Sequence, residues 1–356
     1  MNQKSDILFD EVQGQQGNLG LITLNRPEAL NALNHAMFHL LDRQLTAWAT
    51  DDHIKAVVIQ AVPGKAFCAG GDIRYAYEQR MSNDPTRINF FGDEYRLDQY
   101  IYHYPKPYIA LLDGITMGGG VGISIHGSHR VATDRLVFSM PETGIGFFPD
   151  VGATYFLPRL PGKIGYYAGL TGARLSYSDC LAVGLVDYVV SQGSFPAIIQ
   201  ALADASFTQR NDPVISGVIQ QFSRPVEKSS LMEAYQPAIN LCFSKPTIED
   251  ILRALEQYPD GWCQKVYAIL QTKSPTSLKI TLQQLQTGGT LSFDECMKLE
   301  YRLTSRFIEG HDFFEGIRAV IIDKDQKPRW NPAKLEEVSL HDVEKYFAPL
   351  EKELVG

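Results

Sequence analysis

The sequence has no CxxC pair and no cysteine or histidine spacing that would hold zinc. Its five cysteines, Cys68, Cys180, Cys242, Cys263 and Cys296, are scattered, which argues against a disulfide scaffold and fits reduced thiols inside a cell. Positive charge is in short supply. The 33 Lys and Arg face 41 Asp and Glu, a formal net charge of −8, which disfavours nucleic acid or an anionic membrane as a partner. Long apolar runs are missing too: the least polar stretch, Gly114 to Ile125, is too short and glycine-rich to span a bilayer. The opening MNQKSDILFDEV carries early acids and no apolar h-region, unlike a secretion signal or an Arg-rich transit peptide, so a cytoplasmic location is expected. What remains, over 356 residues, suffices for a substantial core in one large domain with an extension, or in two domains.

Ile7–Val12 and Leu19–Leu24 read as two strands joined by QGQQGN. Asn34 is placed to cap an amphipathic helix running through Ala36, Phe38, Leu40, Leu41, Leu45 and Trp48. Ala56–Ala61 and Pro107–Leu112 are short apolar runs of the kind buried on both faces of a sheet. The first leads into the loop PGKAFCAGGDI (Pro63–Ile73) and a helical stretch carrying Glu94. The second leads into Asp113-Gly114, the triplet Gly118-Gly119-Gly120 and a helical VGISIHGS. Strand, glycine turn and helix thus recur, which predicts an α/β fold of ββα cycles. Helices follow at Tyr166–Leu170 and at Ser176, where Asp179 is positioned as a capping-box partner. A strand over Leu185–Val190 and a turn over Ser191–Phe195 come next. From Pro196 the periodicity is amphipathic and helical, with QTGGT breaking two helices. The composition shift near 205–215 sets the expected boundary between a ββα core, 1–205, and a helical C-terminal region, 206–356.

The segment Ser139–Gly152, SMPETGIGFFPDVG, holds two carboxylates, Glu142 and Asp150, with no Lys or Arg among them. Desolvation by Phe147 and Phe148 would raise their pKa values and poise them for general acid–base work. Pro141, Gly144, Gly146 and Pro149 break regular structure, so a shaped loop is expected. A surface turn with two solvated acids is the alternative. Two glycine loops upstream tilt the balance, because their backbone N–H groups can approach a ligand closely. Two such donors from separate loops would make an oxyanion hole. A phosphate cradle is the rival, but neither loop has the Walker pattern or the dinucleotide spacing.

Together, GKAFCAGGDI, GITMGGGVG and PETGIGFFPDVGATYFLPRL resemble the enoyl-CoA hydratase/isomerase (crotonase) superfamily. With the tail EGIRAVIIDKDQKPRW, the chain is most similar to a thioester-hydrolysing branch of it. The resemblance implies a crotonase-like spiral of ββα units with a helical C-terminal region. It implies hydrolysis of a short hydroxyacyl-CoA, 3-hydroxyisobutyryl-CoA of valine catabolism above all, with no metal and no cofactor, CoA being part of the substrate. It puts the oxyanion donors on the N–H groups of Gly71 and Gly119 and the catalytic pair on Glu142 and Asp150. Substrate contacts fall on Glu94 and, around a CoA adenine, on Ala69, Gly70 and Asp72. Hydratases of the superfamily use two glutamates, and the position of the first is Gly122 here, which argues against hydration. Glu142 then either activates water or attacks to give a mixed anhydride, while Asp150 orients the substrate hydroxyl or the water. An enoyl-CoA hydratase or isomerase recruiting Asp150 or Glu94 is the second reading. A non-catalytic scaffold binding RNA or a protein is the third. The superfamily often forms trimers, so a homo-oligomer stays open beside a chain whose helical tail covers that interface.

Other residues carry plainer readings beside the functional ones. Asp72 suits a helix N-cap as well as a site. Cys68, with no His or Lys nearby in sequence, reads as a small core residue. His126 and His129 read as packing or surface residues rather than as a dyad. Lys324, Lys327 and Arg329 suit either CoA phosphates or a solvated turn. Tyr100–Tyr104 reads as core or interface.

Overall fold

The computed structural model describes residues 5–82 and 86–355, which fall into two compact units of interleaved chain. The first runs up to Gly71 and takes in Leu97–Phe138 and Leu175–Ser229. The second comprises Asp72–Arg96, Ser139–Arg174 and the chain from Ser230 on.

The strands, in chain order, are β1 (Ile7–Val12), β2 (Asn18–Leu24), β3 (Ile54–Ala61), β4 (Ala66–Cys68), β5 (Tyr108–Leu112), β6 (Ile115–Met117), β7 (His129–Thr133), β8 (Val137–Ser139), β9 (Leu175–Ser176) and β10 (Tyr188–Val190). A six-stranded sheet has the order β1-β2-β3-β5-β7-β10, with an antiparallel β1–β2 hairpin and parallel pairing thereafter. A smaller sheet has the order β4-β6-β8-β9. Each of β3, β5 and β7 is followed at once by a strand of the small sheet, which is the ββ step of the expected cycle.

Residue chemistry explains the large sheet. β5 is buried at every position, and β3 at all but Lys55 and its last two residues. Runs of Val, Ile, Ala and Leu leave no side for water, so both sheet faces must be covered. On one face, Ile198, Ile199 and Leu202 of the helix Phe195–Asp204 and Ile215 and Ile219 of the helix Pro213–Gln220 pack with Leu19, Ala56, Val58, Ile109, Leu111 and Val131. Strand alternation turns Gly20 to the opposite face. There the Trp48 ring lies 2.6 Å from where a Cβ on Gly20 would stand. Trp48 belongs to the helix His35–Thr50, whose cap Asn34 accepts the Met37 amide at 3.0 Å.

Two boundaries differ from expectation. The last strand begins at Tyr188 instead of Leu185, because the Leu185 amide closes the preceding helix onto Cys180 O and Asp187 is spent on Arg130 at 2.6 and 3.0 Å. The turn after it ends one residue early, with Phe195 already helical and Pro196 in the first turn. The capping box at Ser176 and Asp179 forms as expected.

The second unit is helical from Ser230 on, and no strand follows β10 among the described residues. Helices Pro275–Gly288 and Phe293–Phe307 lie on either side of QTGGT, the first running through Gly288. No helix of the described residues is long and apolar enough to cross a membrane.

Arg210 holds the first unit together where its loops end. Its guanidinium donates to the carbonyls of Tyr104 (2.6 Å), Ile101 (3.2 Å) and His126 (2.9 Å). His126 caps the helix Gly119–Ile125, whose last carbonyls have no helical partner. Arg210→Met keeps the stem and orphans all three acceptors, so a loss of about 3 kcal/mol is expected. Urea unfolding checks it; an unchanged midpoint would show the three bonds to be dispensable.

Candidate active site

Both glycine loops lie in the first unit. β4 ends at Cys68, and the Ala69 amide then bonds Leu30 O at 3.0 Å while Gly70 O accepts from the Leu33 amide at 2.9 Å. Asn31 donates its side-chain amide to Ala66 O at 3.0 Å, pinning the same segment from below. This bridge leaves the Gly71 amide outside the ladder. Gly119 is the first residue of its helix, so its N–H has no intrahelical acceptor. Among the described residues neither amide makes a backbone hydrogen bond. The loops touch: a Cβ on Gly70 would lie 3.4 Å from Met117 O and 3.8 Å from Gly119 N. Gly120 permits the approach, since a Cβ there would sit 2.3 Å from Cys68 O. Two unspent amides on adjoining, rigidly held loops are suited to an oxyanion.

The carboxylates lie in the second unit. Glu142 opens a 3-10 turn, Glu142–Ile145, so the segment is not wholly irregular as expected. Asp150 follows the loop and precedes the helix Ala153–Phe156. Each is only 6% exposed. Rings of Phe91, Phe147, Phe307 and Phe313 pack on one another around this loop, with Phe148 against Phe147 and Phe307. Burial pushes the Glu142 carboxyl well above the usual range, and the neighbouring Asp150 charge adds to this. Burial raises Asp150 too, against an opposing pull from the Tyr95 hydroxyl. Glu142 Oε2 has no hydrogen-bond partner among the described residues, and Tyr95 donates to Asp150 Oδ2 at 2.7 Å. Tyr95 spends its one proton there, so the Thr304 hydroxyl, 2.6 Å away, donates to the Tyr95 oxygen.

The residues that build this pocket come from far along the chain. Gln284 donates to Pro149 O at 2.6 Å and to Thr154 Oγ1 at 2.7 Å. Glu300 accepts the amides of Gly152 (2.8 Å) and Thr154 (2.9 Å), and its own pKa is pushed by burial to about 8. Between them Val151 is held at φ 51°, a region β-branched residues avoid. Lys273 also acts on Glu142, favouring its charged form. Tyr95, Gln284, Glu300 and Lys273 were not singled out from sequence. Only the periodicity of their helices was visible there, and nothing in a lone sequence pairs position 300 with position 152.

The remaining candidates fall as follows. Glu94 is buried on the helix Ile88–Tyr102, one residue before Tyr95. Ala69 and Gly70 form the loop after β4, and Asp72 stands at the N-cap of the helix Ile73–Met81 without a side-chain cap bond. Cys68 is a fully buried core residue whose thiol faces Gly70 O. His126 and His129 are buried, and His129 bridges the hydroxyls of Ser128 and Ser216 at 2.9 and 3.2 Å. Tyr104 is buried with its hydroxyl on Leu45 O. Lys324, Lys327 and Arg329 lie in an exposed turn fastened by Arg318, which pairs with Glu315, Asp323 and Asp325. All five cysteines are free and buried.

A family described as enoyl-CoA hydratase/isomerase matches residues 19–347. The chain is 44% identical over 348 residues to a mitochondrial 3-hydroxyisobutyryl-CoA hydrolase of Gallus gallus, covering 97% of this chain and 90% of that one. It is 41% identical over 354 residues to the mitochondrial 3-hydroxyisobutyryl-CoA hydrolase of Homo sapiens, covering 98% and 91%. Among solved structures, a carnitinyl-CoA dehydratase from Mycobacterium thermoresistibile superposes with a TM-score of 0.91 at 37% identity over 99% of both chains. An enoyl-CoA hydratase from Rhodobacter sphaeroides gives 0.88 at 36% identity, covering 99% of this chain and 100% of that one. The α/β crotonase fold follows from these matches.

Three buried carboxyls with raised pKa values have a consequence for stability. Each binds its proton more tightly folded than unfolded, so its stabilising contribution is whole below the unfolded value near ~4 and is lost as pH rises through the folded one. For Glu300 that upper limit is about 8. The double variant Glu142→Gln, Asp150→Asn is therefore expected to gain in urea resistance over the wild type at pH 8, and the gap should close toward pH 4. A gap independent of pH would mean that the two carboxyls are not desolvated.

Proposed function

Since the chain belongs to the enoyl-CoA hydratase/isomerase family, we propose that it hydrolyses the thioester of a short hydroxyacyl-CoA, 3-hydroxyisobutyryl-CoA first, to the free hydroxy acid and CoA. The observation that carries this reading is the buried pair Glu142 and Asp150, with no carboxylate at Gly122 in the helix that begins at Gly119. Hydration of a double bond needs an acid and a base at the positions the superfamily uses, and one of those is a glycine here. The likeness to named hydrolases over nearly the whole chain supports the same conclusion.

The chemistry balances with these residues. The amides of Gly71 and Gly119 take the thioester oxygen and stabilise the negative charge that develops on it. Ionised Glu142 removes a proton from water as the water oxygen bonds to the carbonyl carbon. The tetrahedral intermediate then expels the sulfur, and the proton on Glu142 passes to the thiolate. In the alternative course Glu142 bonds to the carbonyl carbon itself, CoA leaves, and water cleaves the resulting anhydride. Tyr95 holds one oxygen of Asp150, leaving the other to orient the substrate hydroxyl or the water. Glu94, Ala69, Gly70 and Asp72 are assigned to substrate contact on the strength of their motifs. A cytoplasmic location fits the free cysteines, although the curated relatives are named mitochondrial.

Enoyl-CoA hydration is the second reading, favoured by the names of the two most similar solved structures reported above. Thiol release from a panel of acyl-CoA thioesters, set beside hydration of crotonyl-CoA, separates the two. Release from 3-hydroxyisobutyryl-CoA is expected to lead, and Glu142→Gln to reduce it by about a thousandfold with the fold retained. Hydration without thiol release would sink the proposal. Single turnover in ¹⁸O-water decides the route: label in the Glu142 carboxyl means the anhydride, and unlabelled enzyme means direct attack by water.

A further inference from the structure

Lys273 sits in the short link between the helices Gly261–Gln271 and Pro275–Gly288. Its ammonium occupies space that two glycines leave open. A Cβ on Gly144 would lie 3.1 Å from Lys273 Nζ, and one on Gly172 would lie 3.6 Å from it. Gly144 belongs to the same 3-10 turn as Glu142, two residues on. The backbone ties the two segments as well, since the Ser274 amide donates to Thr143 O at 3.3 Å.

The tail motif holds this link in place. The Trp330 indole donates to Thr272 O at 3.0 Å. The Ser274 hydroxyl donates to Asp312 Oδ2 at 2.6 Å, and the Asn331 amide donates to Asp312 Oδ1 at 2.8 Å. The Arg329 amide donates to Glu315 at 2.8 Å. Residues on both sides of Lys273 are thus clamped by a segment that makes no contact with the carboxylates in this bonding scheme. A motif read from sequence as a candidate CoA-phosphate site has a structural task instead: it fixes a cation beside the turn that carries Glu142.

We infer that Lys273 is a positioning residue for the proposed hydrolysis, its ammonium keeping Glu142 ionised inside an aromatic pocket. The inference deepens the hydrolase reading and rests on it for the activity readout alone. Glu142 faces like charge from Asp150 on its own loop and from Glu300 on the helix Phe293–Phe307, both of which oppose its ionisation. Lys273, from the link after the helix Gly261–Gln271, is the opposing cation, and Tyr95 acts on the pair through its bond to Asp150. The same Glu142 charge favours the protonated ammonium against the cost of burying it. A general base or nucleophile has to be ionised to work, and two further carboxyls would otherwise hold a proton on it.

Lys273 also lines an open cleft of about 510 Å³, together with Tyr267, Pro275 and Lys334, so a small reagent can reach position 273. The test uses the full chain with Lys273→Met, Lys273→Arg and Lys273→Cys. In Lys273→Met the acid limb of the CoA-release profile should move up by about one pH unit, a loss of about tenfold below it and near-normal turnover above it. Lys273→Arg should keep the wild-type limb. Aminoethylation of the folded Lys273→Cys protein should bring the limb back, whereas methylthiolation, which adds bulk without charge, should not. Carboxyl-¹³C NMR of Glu-labelled protein, with the Glu142 signal identified by Glu142→Gln, reads the titration without substrate. An unmoved Glu142 midpoint in Lys273→Met, or equal behaviour of the two modified cysteine proteins, would overturn the role. If Lys273→Met does not fold, the cysteine series decides alone. Should the wild type release CoA from no thioester, the hydrolase reading fails while the NMR titration still judges Lys273.

Discussion

Two carboxyl groups removed from water within one aromatic pocket are the constraint that shapes this protein. An isolated ionised carboxylate in an apolar interior is so unfavourable that the group takes up a proton instead, and a second acid beside it makes the first harder still to ionise. Glu142 and Asp150 are placed in that conflict, with Phe147 and Phe148 supplying the dry surroundings. A protein selected for stability alone would place amides or apolar groups there. Chemistry on a thioester is a reason to keep the acids, because a base near neutrality is reactive where a solvated carboxylate is inert.

Keeping the pair in place needs structure of matching rigidity. The loop between Pro149 and Thr154 is held from three directions: by Gln284 at Pro149 O, by Tyr95 at Asp150, and by Glu300 at the amides of Gly152 and Thr154. Val151 bears the strain of the bend, at about 1–3 kcal/mol for a non-glycine residue in that region. That cost persists only because the surrounding bonds over-determine the conformation. Glu300 adds a second cost, since it too is a buried acid. Its two oxygens, however, accept two backbone donors that would otherwise be orphaned, a geometry that a shorter or neutral side chain could not reproduce in full.

Much of the first unit was legible because its signals are local. Apolar runs such as Ala56–Ala61, the cap at Asn34 and the box at Ser176 and Asp179 act over two to eight residues, and each forms where its chemistry places it. The glycine loops were legible for the same reason, their lack of side chains being visible in the letters. The strand at Leu185 was misjudged because a tertiary bond, Arg130 to Asp187, claims the residues that look extended. The 3-10 turn at Glu142 was missed because Gly and Pro signal the absence of long elements, not of a single turn. The electrostatics of the pair were half legible. Their own segment holds no cation, which is true, but Lys273 arrives from more than a hundred residues away and reverses the local charge balance.

That distance explains why the chain needs its helical half for more than bulk. The acids lie at 142 and 150, yet the side chains that orient, dry or charge them stand at 273, 284, 300, 304, 307 and 313. Amphipathic helices are good carriers for such a set. Each buries one stripe regardless of the detail of its partner, so a polar residue can be set within the stripe at low cost to folding, provided that it finds its bond. Gln284 and Glu300 are both fully buried on helices whose other inward residues are apolar or small. The pairing of short-range strand signals in one unit with long-range polar contacts in the other follows from what each does. A sheet fixes backbone amides by its own hydrogen bonds, while a carboxylate out of water has to be supplied with partners by side chains, wherever in the chain they lie.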